Sequence, residues 1–258
     1  MLQIELDMKT ATALKTGEEL AAFRPLYRQI KSLITQSLVS GEWAPGDAIP
    51  SEIELASRYS VSQGTVRKAV SELAGENLLI RHQGKGTFVA SHADERDKFP
   101  FLRITPDRGE LKELTGVLLD FRRPRADANA ARLLRLPAGS GVFLIRRLLL
   151  LAGTRICYEE VRLPAARYKG LSATVIEEHE CMLYSMYETR FGVRIVHADE
   201  QLKAVRAPRE VAAALGLSAG APVLHIERVA YTYGEEPAEL RRSWNDTRSH
   251  HYRNRTNG

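Results

Sequence analysis

From Pro25 onward apolar residues recur at three- and four-residue steps, at Leu26, Ile30, Leu33, Ile34 and Leu38, and the run closes at Gly41. That spacing predicts an amphipathic helix, with Pro25 in a first turn that has no use for its missing N–H. WAPGD, 43–47, predicts a turn. SEIELASRY, 51–59, opens as a capping box, with Ser51 and Glu54 placed to satisfy each other's backbone N–H groups. VSQGTVRKAVSEL, 61–73, predicts another helix, capped by Ser62, with Val61 and Val66 in the two positions of a hydrophobic staple. Its apolar stripe is Val66, Ala69, Val70 and Leu73. The pattern then changes period: NLLIRHQGKGTFVASH reads as strand 78–81, a turn at Gln83-Gly84-Lys85-Gly86, and strand 87–90.

Two short helices joined by a tight turn make a helix-turn-helix, whose second helix lies in the major groove of DNA. Base edges meet the N-terminal part of that helix, so donors are needed there. Gln63 and Arg67 stand one above the other with Lys68 beside them; Gln pairs with adenine and Arg with guanine. The Ser62 and Thr65 hydroxyls suit phosphates, as do the helix's own first N–H groups around Gly64. The competing reading is a solvated polar face. A hairpin directly after the two helices favours the first reading, because it forms a wing with Lys85 at its tip, within reach of a phosphate or the minor groove. As a nucleotide-binding loop the same glycines lack the G-x-x-x-x-G-K-[ST] pattern.

The second half of the chain repeats itself. LPAGSGVFLIRRLLLLAG, 136–153, aligns without gaps to LSAGAPVLHIERVAYTYG, 217–234, at an offset of 81 residues. Each copy follows a short Ala-rich helix (DANAARLL, REVAAALG) and a strand, and precedes another strand (CYEEVRLP, AELRRSWN). The unit is strand, helix, strand, strand, used twice, with a helical insert between the copies marked by ECMLYSMYETRFG, 180–192. Antiparallel strands dominate, which predicts an α+β domain with a sheet backed by helices. A cleft between the copies is the expected small-molecule site. Arg147 and Arg228 are repeat-equivalent; Glu159 and Glu160 fall on opposite faces of one strand, and Glu239 in the matching strand. Against a ligand role stands solvent exposure on an open sheet face. Tyr184 is expected in the core, and His250-His251 at the surface.

Domain boundaries follow from these patterns. Residues 1–22 read as a flexible extension, 23–91 as the winged helix-turn-helix domain, 92–106 as a charged linker, 107–252 as the second domain and 253–258 as a tail. The net charge of +5 does not mark the first domain as a DNA binder, since residues 1–92 hold ten basic and ten acidic side chains. Any DNA reading rests on the placement of particular residues. Cys157 and Cys181 suit neither a disulfide framework nor a metal site. The start has no basic segment leading an apolar one, and LLLLA, 148–152, is too short to span a bilayer. A cytoplasmic protein with no metal, no cofactor and no membrane partner is expected.

The first half, from PLYRQIKSLITQ to HQGKGTFV, resembles the winged-helix domain of the GntR family of bacterial transcriptional regulators through G-x-x-x-P-G-D-x-[IL]-P-S-E, V-S-x-x-T-V-R-x-A and G-x-G-T-F-V. The resemblance implies DNA contacts at Ser51, Ser62, Thr65, Arg67 and Gly86, to which the reading above adds Gln63, Gly64, Lys68, Gln83 and Lys85. Ile53 and Gln63 stand where the family commonly has Arg, so the operator sequence does not carry over. The second half resembles the UTRA effector domain of HutC-type members over about 110–252. It does so through RRLLLLAGTRICYEEVRLP, MLYSMYETRFGVRIVHADEQL, GLSAGAPVLHIERVAY and PAELRRSWNDTR. That resemblance implies a chorismate-lyase-like fold that binds a small anionic or polar metabolite, with Arg147, Glu159, Glu239 and Asn245 at ligand positions. Leu149 replaces an Arg and Met182 a Ser found in phosphosugar-binding relatives, which argues against a phosphosugar.

Together these readings imply a ligand-responsive regulator, a repressor that binds a near-palindromic duplex operator as a homodimer. The competing reading makes the second domain a lyase-like enzyme acting on a small carboxylate. No nucleophile–base pair, metal pattern or phosphate loop supports it, and fusion to a DNA-reading module favours sensing.

Overall fold

The computed structural model describes residues 25–91, 103–109, 114–179 and 182–254. The extension 1–22, the segment 92–102 of the linker, the insert's first two residues and the end of the tail lie outside them. The chain divides into two compact units that meet at the Ala90/Ser91 boundary.

The first unit holds three helices and a hairpin. Helix α1 (Leu26–Ser40) starts after Pro25, which occupies the cap position, and ends on Gly41 at φ 76°. A residue without a Cβ adopts that left-handed C-cap at the least cost. Helix α2 (Glu52–Arg58) carries the complete capping box, Ser51 accepting from the Glu54 N–H and Glu54 from the Ser51 N–H. Helix α3 (Gln63–Gly75) buries Val66, Ala69, Val70 and Leu73, the stripe expected from its spacing. Truncating a side chain as enclosed as Leu73 costs ~2–5 kcal/mol. Strands β1 (Leu79–His82) and β2 (Gly86–Val89) form the antiparallel wing, one residue displaced from the expected bounds. The wing also gains an unexpected edge: Ala48 bridges Phe88, and Asp47 and Ile49 exchange backbone bonds with Val89 and Thr87.

The second unit is built on a six-stranded antiparallel sheet. Its strands are β4 (Leu114–Arg122), β5 (Val142–Leu151), β6 (Thr154–Pro164), β7 (His197–Arg206), β8 (Pro222–Thr232) and β9 (Glu236–Asn245), in the order β4-β5-β6-β9-β8-β7. The order is palindromic in the repeat. Each copy contributes three neighbouring strands, and the copies join along β6 and β9, with Glu160 opposite Arg242. Arg147 lies opposite Glu159, and its repeat-equivalent Arg228 lies opposite Arg241. A pseudo-twofold axis therefore passes through the Glu160/Arg242 pair. The copies share one continuous sheet where a cleft was expected.

Helices cover both faces of this sheet. Helix α4 (Ala128–Leu133) packs with Leu134 against Val229 and Leu240 of the second copy, while α7 (Arg209–Leu215) packs Val211 and Leu215 against Leu148 and Tyr158 of the first. Each copy's helix thus reaches over the other's strands and locks the pair. On the opposite face lie α5 (Ala173–Glu178) and α6 (Leu183–Phe191), whose Ile176, Leu183, Met186 and Tyr187 meet Ile145, Val161 and Leu163.

Two expectations are corrected at the domain's edge. Ile104–Pro106, placed in the linker, form β3 and pair with β10 (His250–Tyr252). His250, expected at the surface, is buried in that pairing, whereas His251 is exposed. Alternation along β10 turns one imidazole in and the next out.

Candidate functional site

The start of α3, the expected DNA-reading surface, is held by local hydrogen bonds. The Ser62 hydroxyl accepts from the Thr65 N–H at 3.2 Å and lies 2.9 Å from the Thr65 hydroxyl, fixing the first turn of α3. Ser62, Gln63 and Gly64 are exposed there, and Ser51 is exposed at the start of α2. Arg67 projects outward with its side chain 59% accessible. Lys68 is exposed, and its ammonium sits 4.0 Å from the centre of the Tyr27 ring on α1, a cation–π contact. In the wing, the Lys85 N–H donates to the His82 carbonyl at 3.0 Å, and Gly84 and Gly86 take φ of 73° and 113°. Gln83, Lys85 and Gly86 are exposed.

A second set of charges is enclosed in the other unit, on the sheet face covered by α5 and α6. Arg147, Glu159, Arg228, Glu239 and Arg241 are all buried, which overturns the solvent-facing reading of the first four. The Arg147 Nε donates to Glu159 at 2.7 Å, and Arg241 donates to the same carboxylate at 3.3 Å. Arg241 also grips Glu239 with two parallel bonds of 2.8 Å. Glu239 accepts further from Tyr187 at 2.7 Å and Tyr184 at 3.1 Å. Tyr184 is thus core by burial and a polar contact by its hydroxyl. Alongside, Arg228 donates to Glu200 at 2.7 Å, and Tyr252 donates to the other oxygen of Glu200.

These positions follow from the register. Odd-numbered residues of β5, β6 and β9 point to one face, so Arg147, Glu159, Glu239 and Arg241 converge across the seam between the copies. Asn245 shares that face but turns its amide to the Leu224 carbonyl at 3.1 Å, holding the sheet rather than the ion group. Glu160 lies on the opposite face and bonds Arg146 at 2.9 Å. Arg241 and Glu200 were missed from sequence. The repeat alignment pairs strands but does not reveal that the partner of Glu159's position in the second copy is Arg241, one residue beyond the gapless offset.

Electrostatics show a strongly coupled group. Burial alone pushes the Glu159 carboxyl up, but Arg147 and Arg241 outweigh it and hold it down to about 2. Burial and the neighbouring Glu239 push the Tyr184 hydroxyl up to about 12. Burial acts to lower the Arg241 guanidinium, yet Glu159 and Glu239 raise it well above its ordinary value. Three guanidiniums face three carboxylates, so the formal charges of the cluster balance.

Residues 26–89 match the family model described as bacterial regulatory proteins, gntR family, and residues 110–251, more than half of the chain, match the UTRA domain. The chain belongs to the GntR family. A fructoselysine utilization operon transcriptional repressor of Escherichia coli (strain K12) is 29% identical over 83% of this chain and 88% of its own length. The transcriptional repressor NagR of Bacillus subtilis (strain 168) is 30% identical over 80% of this chain and 84% of its own. Among solved structures, a ligand-binding domain of a GntR-family regulator from Bordetella bronchiseptica is 40% identical. It covers 62% of this chain and 99% of that chain, with a TM-score of 0.60. This GntR/UTRA chain is therefore a transcriptional regulator with a DNA-binding and an effector-binding domain. Its relatives are regulators and not enzymes, which removes the lyase reading. Among the described residues no helix is long and apolar enough to cross a membrane.

Proposed function

We propose that this GntR/UTRA regulator is a cytoplasmic repressor. It binds a near-palindromic operator as a homodimer and changes its hold on DNA when a small anionic or polar metabolite enters the Arg147–Glu159–Arg241–Glu239 cluster. The observation that carries this reading is the neutral, buried ion group across the seam of the duplicated sheet. Buried ion pairs are weak stabilisers compared with apolar packing, so their presence at one spot in a well-packed core favours a binding role. A ligand carboxylate competes with Glu159 for Arg147 and Arg241. Ligand hydroxyls find acceptors in Glu239 and donors in Tyr184 and Tyr187. Two relatives named as repressors support the sign of regulation. Twofold symmetry of the dimer matches a near-palindromic site.

On the DNA, Gln63 and Arg67 read base edges while Ser51, Ser62, Thr65 and the wing residues hold phosphates. The test is affinity selection of genomic fragments at roughly physiological salt, followed by titration of metabolites suggested by the neighbouring genes. A single near-palindromic motif whose occupancy changes with one metabolite is the expected result. Enrichment with no motif, vanishing as salt rises, would leave only phosphate contacts. In the same assay Arg67→Ala should cost ~1–3 kcal/mol at one base position, and Lys85→Ala should weaken all sequences alike.

A further inference from the structure

Resting on the reading of Arg67 as a base contact, we infer that Glu52 is the positioning residue of the DNA-reading unit, and that it sets the angle of Arg67 and of the wing together. Glu52 is the first residue of α2. One carboxylate oxygen accepts from the Arg67 Nε of α3 at 2.9 Å, and the other accepts from Arg81 of β1 at 3.1 Å. Arg81 also reaches the Arg67 main-chain carbonyl at 3.4 Å. One side chain therefore ties together the three elements whose relative placement decides how the protein lies on a duplex. The bond geometry matters as much as the connection. With Nε held by Glu52, the Arg67 guanidinium is left to present its terminal pair of nitrogens, the fork that matches guanine O6 and N7.

A negative charge beside a surface that meets phosphates weakens association, so Glu52 needs a reason to be there. Its place in the first turn of α2 favours the helix dipole. That alone explains neither the two arginines nor their division between the two oxygens, and the capping box is already made by Glu54. Glu52 is also mostly shielded, with its side chain 22% accessible against 59% for Arg67. The shielded partner fixes the exposed one. Glutamine in its place offers one oxygen acceptor and cannot hold both guanidiniums as a carboxylate does.

The experiment uses the full-length protein and its selected operator. Anisotropy titrations compare the wild type, Glu52→Gln, Glu52→Ala and Arg67→Ala on the operator, on its single-base variants and on random duplex, at several salt concentrations. Glu52→Ala and Glu52→Gln should bind random duplex more tightly, because a negative charge is gone. They should also lose about tenfold of discrimination at the one base pair that Arg67→Ala de-specifies. A fold defect would instead weaken both kinds of binding. Discrimination kept within about twofold in both Glu52 variants, while Arg67→Ala abolishes it, would overturn the inference and leave the reading of Arg67 standing. If Arg67→Ala changes no base position, both fail, since there is then no base contact to position.

Discussion

The side chains of the buried cluster carry opposing costs that can be read one residue at a time. Glu159 sits between Arg147 and Arg241. Replacing it by Gln leaves two enclosed guanidiniums short of a counter-charge, which costs ~3–5 kcal/mol by analogy with other broken buried pairs. Chemical denaturation of Glu159→Gln should show that loss, and a change under about 1 kcal/mol would mean the arginines relax to other partners. The same residue sets an acid limit. Its folded pKa of about 2 lies below the ordinary carboxylate value of 4.5, so its stabilisation is complete above that range and is lost as pH falls toward 2. Unfolding midpoints should therefore decline through that window in the wild type and less steeply in Glu159→Gln. Arg147, Glu159 and Glu239 could be picked from sequence because a repeat and family motifs marked them. Arg241 could not, since pairing with Glu159 across β6 and β9 depends on register, which no local pattern encodes.

Elements were far more legible than contacts. Helix α3 followed from a four-residue apolar stripe and a Ser cap, and the duplicated strand-helix-strand-strand unit from a gapless internal alignment. What escaped was non-local. Ala48 joins the wing, β3 pairs with β10 across the length of the domain, and each repeat's helix packs on the other repeat's strands. Such pairings are chosen by the apolar area they bury together, which short windows do not show. The wing gives a test at this scale. Gly84 at φ 73° lies in the left-handed helical region that Asn tolerates, but Gly86 at φ 113° lies beyond it, with nothing within 4 Å to blame on crowding. Gly84→Asn should keep operator affinity. Gly86→Asn should strain the hairpin by ~1–3 kcal/mol and weaken binding to operator and random duplex alike. Equal behaviour of the two would show that the wing's backbone does not hold its contacts.

At the scale of the whole molecule, the proposed function requires an ion cluster in one unit to alter DNA binding by another. Linkage restricts the answer before any path is known. If the metabolite lowers operator affinity by some factor, the operator must lower metabolite affinity by the same factor. On the proposed reading, competition between ligand and Glu159 for the same guanidiniums is a differential contact of the kind such coupling needs. Arg147 donates to Glu159, so on the proposed reading Arg147→Ala takes away a ligand contact. It should leave operator affinity in the absence of ligand within about twofold and erase the metabolite response. Glu159 would keep its pairing with Arg241, and the domain should lose some stability but stay folded. Calorimetric titration of the metabolite with and without saturating operator provides the second half of the test. Matching coupling factors in the wild type and no measurable binding in Arg147→Ala would place the sensor at the cluster. A full response in Arg147→Ala would move it elsewhere in the domain.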